Sequence, residues 1–226
     1  MAETAAVKRS SGRGRFISFE GGEGSGKSTQ IKLLAPRLEA AKLRAIVTRE
    51  PGGSPGGEII RHLVLSGMGK LLGPEAETLL FAAARDDHVH TVIEPALTQG
   101  TWVLCDRFSD STRAYQGRLG NVPSGLLNAM QRVTIGDLKP DLTIILDVPV
   151  EVGLKRAAAR RGNGAPDRFE AEDIKFHQDL RDAYRQIATE DPERCVLIDA
   201  TASPEAVAAQ VWTALRDHLF AAATSA

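Results

Sequence analysis

Short hydrophobic runs recur along the chain, and segments with a helical period of apolar residues separate them. Five of the runs are continuous and apolar, which is typical of parallel strands that helices cover on both faces. The predicted strands span 16–19, 44–48, 101–106, 142–147 and 195–199. Because strands and helices alternate, we expect an α/β fold in which a five-stranded parallel sheet is flanked by helices.

The helical segments carry recognisable local signals. The segment 29–41 follows the first strand, and Pro36 inside it should remove one backbone hydrogen bond and bend the helix. A second helix is predicted over 79–85. The last helix spans 204–220 and starts with a proline after Ser203, an arrangement typical of a helix N-terminus. The sequence contains no internal repeat and no linker long enough to divide these elements between two domains.

Length and composition narrow the class of protein. The chain has 226 residues, of which 42% are hydrophobic and 25% charged, and this suits one domain with a sizeable core. The net charge of -1 gives no reason to expect a nucleic acid or an anionic membrane surface as a partner. No apolar run approaches the length of a membrane span. Cys105 and Cys195 fall in predicted strands and should be reduced core residues, so we expect a cytoplasmic protein.

The N-terminal segment differs from the rest of the chain. Residues 1–14 carry Lys8, Arg9 and Arg13 among alanine, serine and glycine. We expect a disordered basic tail here, and a basic docking arm is the alternative. A single domain should then occupy residues 15–226.

The first predicted strand leads into a glycine-rich loop at 21–28, which reads Gly-Gly-Glu-Gly-Ser-Gly-Lys-Ser. Strand, Gly-x-x-x-x-Gly-Lys-Ser and helix form the P-loop in its expected context. The backbone N–H groups and the helix N-terminus favour a phosphate chain. Lys27 can reach the outer phosphates and Ser28 can ligate magnesium. The loop therefore predicts a nucleoside triphosphate site; the alternative is a glycine-rich turn that binds nothing.

Polar segments also follow the other predicted strands, and in parallel sheets ligands gather at these carboxyl ends. Asp106 can hold the magnesium shell and Arg107 can face phosphates, unless the two merely form an internal pair that shapes the loop. Arg49 and Glu50 lie at the end of the second strand, where a ligand role competes with an exposed ion pair of little energetic value.

Two further segments carry candidate chemistry. Phe81 and Arg85 are four residues apart on a predicted helix, so together they could stack a base and hold its phosphate, although from sequence alone a phenylalanine in such a pattern is more often a core residue. The basic run 155–170, broken by glycine and proline, suits a lid that closes on phosphates; a solvated basic helix is the alternative. The nearby His88 and His90 point differently on a helix and do not suggest a metal site.

Taken in order, five motifs resemble those of the thymidylate kinases in their bacterial form. They are the P-loop with acidic Glu23, Arg-Glu-Pro-Gly-Gly at 49–53, Leu-Phe-x-x-x-Arg at 80–85, Asp-Arg-Phe at 106–108 with Ser111, Thr112 and Tyr115, and Asp-Arg-Phe-Glu at 167–170. The resemblance covers nearly everything from Arg15 to the final helix. It implies a P-loop nucleoside-monophosphate-kinase fold with a small lid at about 155–170, and phosphate transfer from ATP to dTMP with Mg²⁺, a step in dTTP synthesis for DNA replication. It also implies a homodimer.

The resemblance implies roles for individual residues. The implied ATP site consists of Gly21, Gly22, Glu23, Gly24, Ser25, Gly26, Lys27, Ser28 and Thr29. The implied dTMP site consists of Glu23, Arg49, Phe81, Arg85, Arg107, Ser111, Thr112 and Tyr115. Ser28 and Asp106 would hold Mg²⁺, and Lys27, Arg107, Arg160 and Arg161 would be catalytic. Phe81 would stack on thymine, Arg85 and Arg107 would hold the dTMP phosphate, Thr112 would read the base edge, and Tyr115 would lie against the deoxyribose.

Members of this family carry their catalytic arginine either in the P-loop or in the lid. This P-loop has none, whereas the lid has several, so Arg160 or Arg161 is the implied transition-state cation. Extra lid residues at 164–166 leave the choice between these two arginines open. Ser54, where threonine is usual, is a mild departure from the pattern.

Two other functions stay open at this point. One is a P-loop kinase for another monophosphate, or for a deoxynucleoside with Glu20 or Glu23 as the base. The other is a nucleotide-gated switch without transfer activity. Transfer to a monophosphate needs no general base, because its attacking oxygen is already anionic, and the sequence offers no obvious base.

Overall fold

The computed structural model describes residues 12–162, 164–166 and 168–220. Its sheet contains five parallel strands in the spatial order β2-β3-β1-β4-β5. The strands are β1 (Phe16–Glu20), β2 (Ala45–Arg49), β3 (Trp102–Asp106), β4 (Leu142–Asp147) and β5 (Cys195–Asp199). Each begins and ends within one residue of its predicted range, so the predicted five-stranded parallel sheet is confirmed.

Strand β1 lies at the centre of the sheet and is buried along its whole length. It pairs with β3 on one side and β4 on the other, with Phe19 opposite both Asp106 and Ile144. This pairing brings the segment that follows β1 next to Asp106 at the carboxyl edge of the sheet. The chain thus places its glycine-rich loop and its acidic strand end side by side.

Helices cover both faces of the sheet. They are α1 (Lys27–Ala40), α2 (Pro55–Leu65), α3 (Pro74–His88), α4 (Glu94–Thr98), α5 (Ser109–Thr112), α6 (Ser124–Thr134), α7 (Val150–Arg161), α8 (Ile174–Glu190) and α9 (Pro204–Leu219). A short 3₁₀ segment, Met68–Leu72, precedes α3. Single π-helical segments, Val89–Ile93 and Arg113–Leu119, continue α3 and α5, and such segments occur often at functional sites.

The core has one layer on each side of the sheet. On one side, Leu34 and Leu38 of α1 and Leu215 of α9 pack against the strands. On the other side, Tyr184 of α8 packs against β4, and α4 packs against β3. The helices are therefore positioned by burial of one apolar face each, as expected for a doubly wound sheet.

The predicted helices are present with small shifts. The first, α1, begins two residues earlier than expected and contains Pro36. The segment 79–85 lies inside α3. The last, α9, begins at the expected Pro204, and the Ser203 hydroxyl accepts a hydrogen bond from Ala206 N–H.

Other features predicted from the sequence have mixed outcomes. Both cysteines are buried and free, as predicted. Residues 1–11 of the predicted tail lie outside the described residues, whereas Arg13 donates to Asp141 at 3.3 Å. Within the described part of the chain, no helix is long and apolar enough to cross a membrane.

Candidate active site

The loop after β1 adopts a backbone that requires glycine. Gly21 and Gly24 have φ angles of 132° and 65°, in the region that side chains rarely adopt. A Cβ at Gly24 would also collide with the carbonyl of Gly153 in α7, so the loop rests directly on the backbone of that helix. The loop leads directly into the N-terminus of α1, which no side chain of the described residues caps. Backbone N–H groups at such a helix start favour an anion.

Lys27 lies within this loop and is buried. Its ammonium group donates to the carbonyls of Gly21 and Gly22 at 3.0 and 2.9 Å. Burial, followed by the charge of Arg107, lowers the pKa of Lys27 to about 8. The lysine is thus a cation held at the point where the loop would wrap phosphates.

Two oxygen ligands meet beside the loop. Ser28 Oγ donates to Asp106 Oδ2 at 2.6 Å, because the β1–β3 pairing brings the start of α1 next to the end of β3. A hydroxyl and a carboxylate in contact suit a hard divalent cation such as Mg²⁺. The donor set therefore fits the predicted magnesium site.

Arg107 follows Asp106 and has a φ angle of 70°, unusual for a residue with a side chain. Its Nη2 donates to Glu23 Oε1 at 2.7 Å and its Nη1 to Gly21 O at 3.2 Å. The guanidinium thus links the end of β3 to the glycine-rich loop. Although burial alone would raise the pKa of Glu23, the charges of Arg107 and then Lys27 lower it.

A second arginine, Arg85 of α3, is buried at the far end of the cleft. Its Nε donates to Glu50 Oε2 at 2.7 Å and its Nη1 to Thr112 Oγ1 at 2.9 Å. Glu50 also contacts His88 Nδ1 at 3.1 Å, and His88 Nε2 contacts Thr48 Oγ1 at 2.6 Å. His88 therefore belongs to the shell that holds Arg85.

Aromatic side chains form the wall between these arginines. Phe81 is half-buried and lies 6.5 Å from Phe169, measured between ring centroids. Tyr115 meets Phe169 edge to face at 5.0 Å, and the Arg107 guanidinium lies 5.2 Å from the Tyr115 ring. Because Phe81 borders the cleft, the structure disfavours its assignment to the core.

The lid region starts at the end of α7. Arg160 and Arg161 both pair with Glu170, at 3.0 and 2.5 Å. They differ in position, since Arg160 lines the cleft and Arg161 is not among the described residues that do. Further along, Arg168 pairs with Glu77 of α3. Asn163 and Asp167 of the predicted lid lie outside the described residues.

These elements enclose one cleft of about 520 Å³. Most residues predicted for the site line it. They are Glu23, Gly24, Ser25, Gly26, Lys27, Ser28, Thr29, Arg49, Phe81, Arg85, Asp106, Arg107, Ser111, Thr112, Tyr115 and Arg160. The other predicted residues, Gly21, Gly22 and Arg161, are described but do not line it. Arg49 sits at its edge, where its half-exposed side chain donates to Glu58 at 2.9 Å.

Sequence reasoning missed the roles of two site residues and misjudged one residue beside the site. Phe169 was predicted only as part of a motif, and no spacing rule linked it to Phe81. The sequence showed a charged residue at position 50, but nothing in it indicated that Glu50 binds Arg85. Glu20 was considered only as a catalytic base, yet it is fully buried and does not line the cleft, so it cannot reach a sugar hydroxyl there.

Comparison with known proteins gives a consistent result. A family model described as Thymidylate kinase matches residues 19–211. A thymidylate kinase of Bradyrhizobium diazoefficiens is 79% identical over 95% of this chain and 94% of its own length. One of Nitrobacter winogradskyi is 79% identical over 96% of this chain and 95% of its own. The crystal structure of thymidylate kinase from Ehrlichia chaffeensis superposes with a TM-score of 0.72 at 33% identity, covering 90% of this chain and 99% of that one.

Proposed function

The chain belongs to the thymidylate kinase family and phosphorylates dTMP to dTDP, and we propose that it uses ATP and Mg²⁺ in the cleft described above. The observation that supports this proposal best is that one cleft joins two different sites. The glycine-rich loop with Lys27 suits a triphosphate, and the wall around Phe81 suits a planar base.

On the donor side, the loop amides and Lys27 would bind the ATP phosphates. Ser28 and Asp106 would hold Mg²⁺, which neutralises charge on the phosphates when bound. Direct contact between their two oxygens supports this assignment. The chain's own contribution is to fix these groups before the nucleotide arrives.

On the acceptor side, we propose that thymine stacks on Phe81 and that Arg107 holds the dTMP phosphate. Arg107 reaches the loop through Gly21 O, so a phosphate bound to it would lie close to the donor. Arg85 donates to Thr112, the residue expected at the base edge, and we therefore assign Arg85 to the thymine end. This revises the expectation that Arg85 binds the phosphate.

For the transfer step, we propose Arg160 as the lid cation. Both arginines pair with Glu170, but Arg160 lines the cleft and its charge acts on Glu23, whereas Arg161 does neither among the described contacts. An anionic phosphate oxygen needs no base, so the rate depends on alignment and charge neutralisation. Arg160 would supply positive charge where it develops on the transferred phosphoryl group.

We further propose that the chain forms a homodimer in the cytoplasm. The neighbouring elements α2, the 3₁₀ segment and α3 expose Ile59, Leu71 and Leu79, with exposed fractions of 74%, 86% and 55%. Exposed apolar side chains on adjacent elements suit an interface. Light scattering of the wild type and of Leu79→Glu tests this, and a monomeric wild type at micromolar concentration contradicts it.

The function is tested by measuring ADP release with dTMP, dUMP, AMP, GMP or CMP as acceptor. We expect dTMP to be preferred and Lys27→Ala to lose activity. Lys175→Ala, an exposed lysine on α8, is the matched control. Preference for another acceptor contradicts the proposed specificity, and ATP hydrolysis that no acceptor stimulates supports a nucleotide switch instead.

A further inference from the structure

Glu20 is the last residue of β1 and has no exposed surface. Its Oε1 accepts a hydrogen bond from Phe108 N–H at 2.7 Å. Its Oε2 accepts two more, from Ser111 Oγ at 2.7 Å and from Tyr184 OH at 3.0 Å. The carboxylate therefore accepts three hydrogen bonds from two parts of the chain, the segment after β3 and helix α8, and does not line the cleft.

The same two hydroxyls contact Arg107 on their other side. Arg107 Nη1 lies 3.1 Å from Tyr184 OH and 3.4 Å from Ser111 Oγ. Each hydroxyl has one hydrogen, so a hydroxyl that donates to Glu20 presents only lone pairs to Arg107. Guanidinium groups can only donate, and the arrangement is therefore matched when Glu20 is ionised.

We propose that Glu20 is a positioning residue of the acceptor-phosphate site, whose carboxylate orients the hydroxyls of Ser111 and Tyr184 so that both accept from Arg107. The proposal rests on the proposed role of Arg107 at the dTMP phosphate. Its content is an order of hydrogen bonds that runs from Arg107 to the hydroxyls and from both hydroxyls to Glu20, in place of a bond between the hydroxyls themselves, whose oxygens lie 2.9 Å apart.

Glu20 also holds the backbone of the same turn. Arg107 has its φ angle of 70°, and the next N–H, of Phe108, is the one bound by Glu20 Oε1. One carboxylate thus restrains both the strained backbone and the side chain of the arginine.

Charged and titratable groups from several elements face Glu20. They are Lys27 of α1, Cys105 of β3, Arg107, Asp110 and Ser111 of the segment after β3, and Tyr184 of α8. Burial, followed by the charge of Asp110, raises the pKa of Glu20 to about 7, although Arg107 opposes the shift. Protonation would leave Oε2 with a hydrogen of its own, and the two hydroxyls could no longer both donate to it.

The decisive variant is Glu20→Gln, which keeps the shape but replaces one oxygen by an NH₂ group. Its amide would turn the hydroxyl hydrogens toward Arg107. We expect dTMP affinity and kcat/KM for dTMP to fall about tenfold, the size expected for hydrogen bonds to a charged group, with KM for ATP within about twofold of the wild type. Glu39→Gln, an exposed residue of α1, is the matched control and should change neither constant.

The pH profile separates orientation from a merely structural role. We expect the ratio of wild-type to Glu20→Gln kcat/KM for dTMP to rise through pH 7 and to level off below it. Titration of the dTMP phosphate itself, near pH 6, cancels in this ratio. A ratio that stays flat across this range overturns the proposal, and so does an equal loss of dTMP and ATP affinity.

Should Glu20→Gln fail to fold, Tyr184→Phe tests the same hydroxyl relay with the carboxylate intact. We expect a three- to tenfold loss of dTMP affinity, about the size of one ordinary hydrogen bond, and unchanged ATP affinity. Unchanged dTMP affinity in Tyr184→Phe overturns the proposal. Absence of dTMP-dependent ADP release in the wild type is a different result, which overturns the proposed function itself.

Discussion

The two cationic parts of the cleft are held in opposite ways. On the acceptor side, Arg85 is buried and its guanidinium is bound by Glu50 and Thr112, while Arg107 is bound by Glu23 and two hydroxyls. In the lid, the Arg160 side chain is 63% exposed and pairs with Glu170. Exposed ion pairs contribute little, whereas a buried charge that loses its partner is strongly destabilising.

This difference indicates what fixes the arginine side chains in each part of the cleft. The acceptor arginines are placed by folding, because many buried groups from distant segments restrain them. Arg160 is restrained by an ion pair with Glu170 and is largely exposed, so under the proposed mechanism the bound nucleotides would position it. Substitutions on the acceptor side should therefore change binding or stability, and substitutions in the lid should change turnover alone.

The largest effect should follow from Arg160→Ala. We expect kcat to fall by about 10³ or more, the range measured for arginines that stabilise phosphoryl transfer. The dissociation constant for dTMP and the melting temperature should stay close to wild type. Steady-state kinetics with calorimetric binding and thermal melts checks all three.

Arg161→Ala is the matched control for that experiment, since it removes the neighbouring charge without removing a residue that lines the cleft. Its kcat should fall less than about tenfold, as for a peripheral ion pair. If Arg161→Ala were the more damaging change, the choice of Arg160 would be wrong. Near-normal turnover in a variant that carries both Arg160→Ala and Arg161→Ala would contradict the assignment of the catalytic arginine to the lid.

A stability effect of nearly this size is expected from Asp110→Asn. Asp110 is almost fully buried and accepts hydrogen bonds from Arg194 at 2.6 Å and from Arg113 at 2.9 Å. Loss of its charge leaves Arg194 without its buried partner, so the free energy of unfolding should fall by about 3–5 kcal/mol. Denaturant unfolding at pH 7 measures this, with Asp217→Asn of the exposed pair on α9 as the control.

The same pair gives a pH dependence with a definite sign. Burial alone would raise the pKa of Asp110, but Arg194 and then Arg113 lower it below 3.8. The stabilisation is therefore complete above about pH 4 and is lost as the pH falls through the lowered pKa. Wild type and Asp110→Asn should converge in stability under acid conditions; a constant difference down to pH 2 would contradict the ion-pair account.

An intermediate effect is expected from Phe81→Ala. Loss of base stacking should raise the KM for dTMP about 5- to 150-fold, because such stacking contributes about 1–3 kcal/mol per base. The melting temperature should change little, since the side chain borders the cleft. Phe81→Tyr keeps the ring and should stay near wild type. A large drop in melting temperature with unchanged KM would return Phe81 to the core.

The smallest effect should come from Asp173→Ala at the start of α8, which leads from the lid to Tyr184. The Asp173 carboxylate caps the helix by accepting from Phe176 N–H at 2.7 Å. Its loss should cost about 1 kcal/mol and lower the melting temperature by roughly 2–4 °C. Asp173→Asn retains an acceptor and serves as the control. Weaker dTMP binding in Asp173→Ala would show that the acceptor side depends on the lid end of α8.

Sequence reasoning located the strands because buried parallel strands are continuous apolar runs, as in Leu142–Asp147. It identified most of the cleft residues, because the carboxyl ends of parallel strands meet at one edge of the sheet. It could not predict that the hydroxyl of Tyr184, 164 positions after Glu20, would donate a hydrogen bond to the Glu20 carboxylate. Such contacts depend on how α8 packs, which no local pattern encodes.

The sequence left the choice between Arg160 and Arg161 open for a related reason. Adjacent residues on a helix point about 100° apart, so only the docking of α7 decides which one faces the cleft. The glycine and proline residues after α7 indicated that the helix ends there, but not which of its last side chains faces the cleft. The partner of Glu50 was not predictable either, because the sequence paired Glu50 with its neighbour Arg49 or with a ligand and gave no sign of the buried Arg85 beside it.

The contact between Gly24 and Gly153 makes the position of α7 depend directly on the backbone of the glycine-rich loop. Because the glycine-rich loop touches the helix backbone with no side chain between them, a methyl group at either position would force the two apart. Arg160 lies seven residues beyond Gly153, about 10 Å along the helix. A side chain at Gly24 would therefore displace α7 from the glycine-rich loop, and Arg160 would move with the helix, whereas a Cβ at Gly22 or Gly26 meets nothing within 4 Å and would leave it in place.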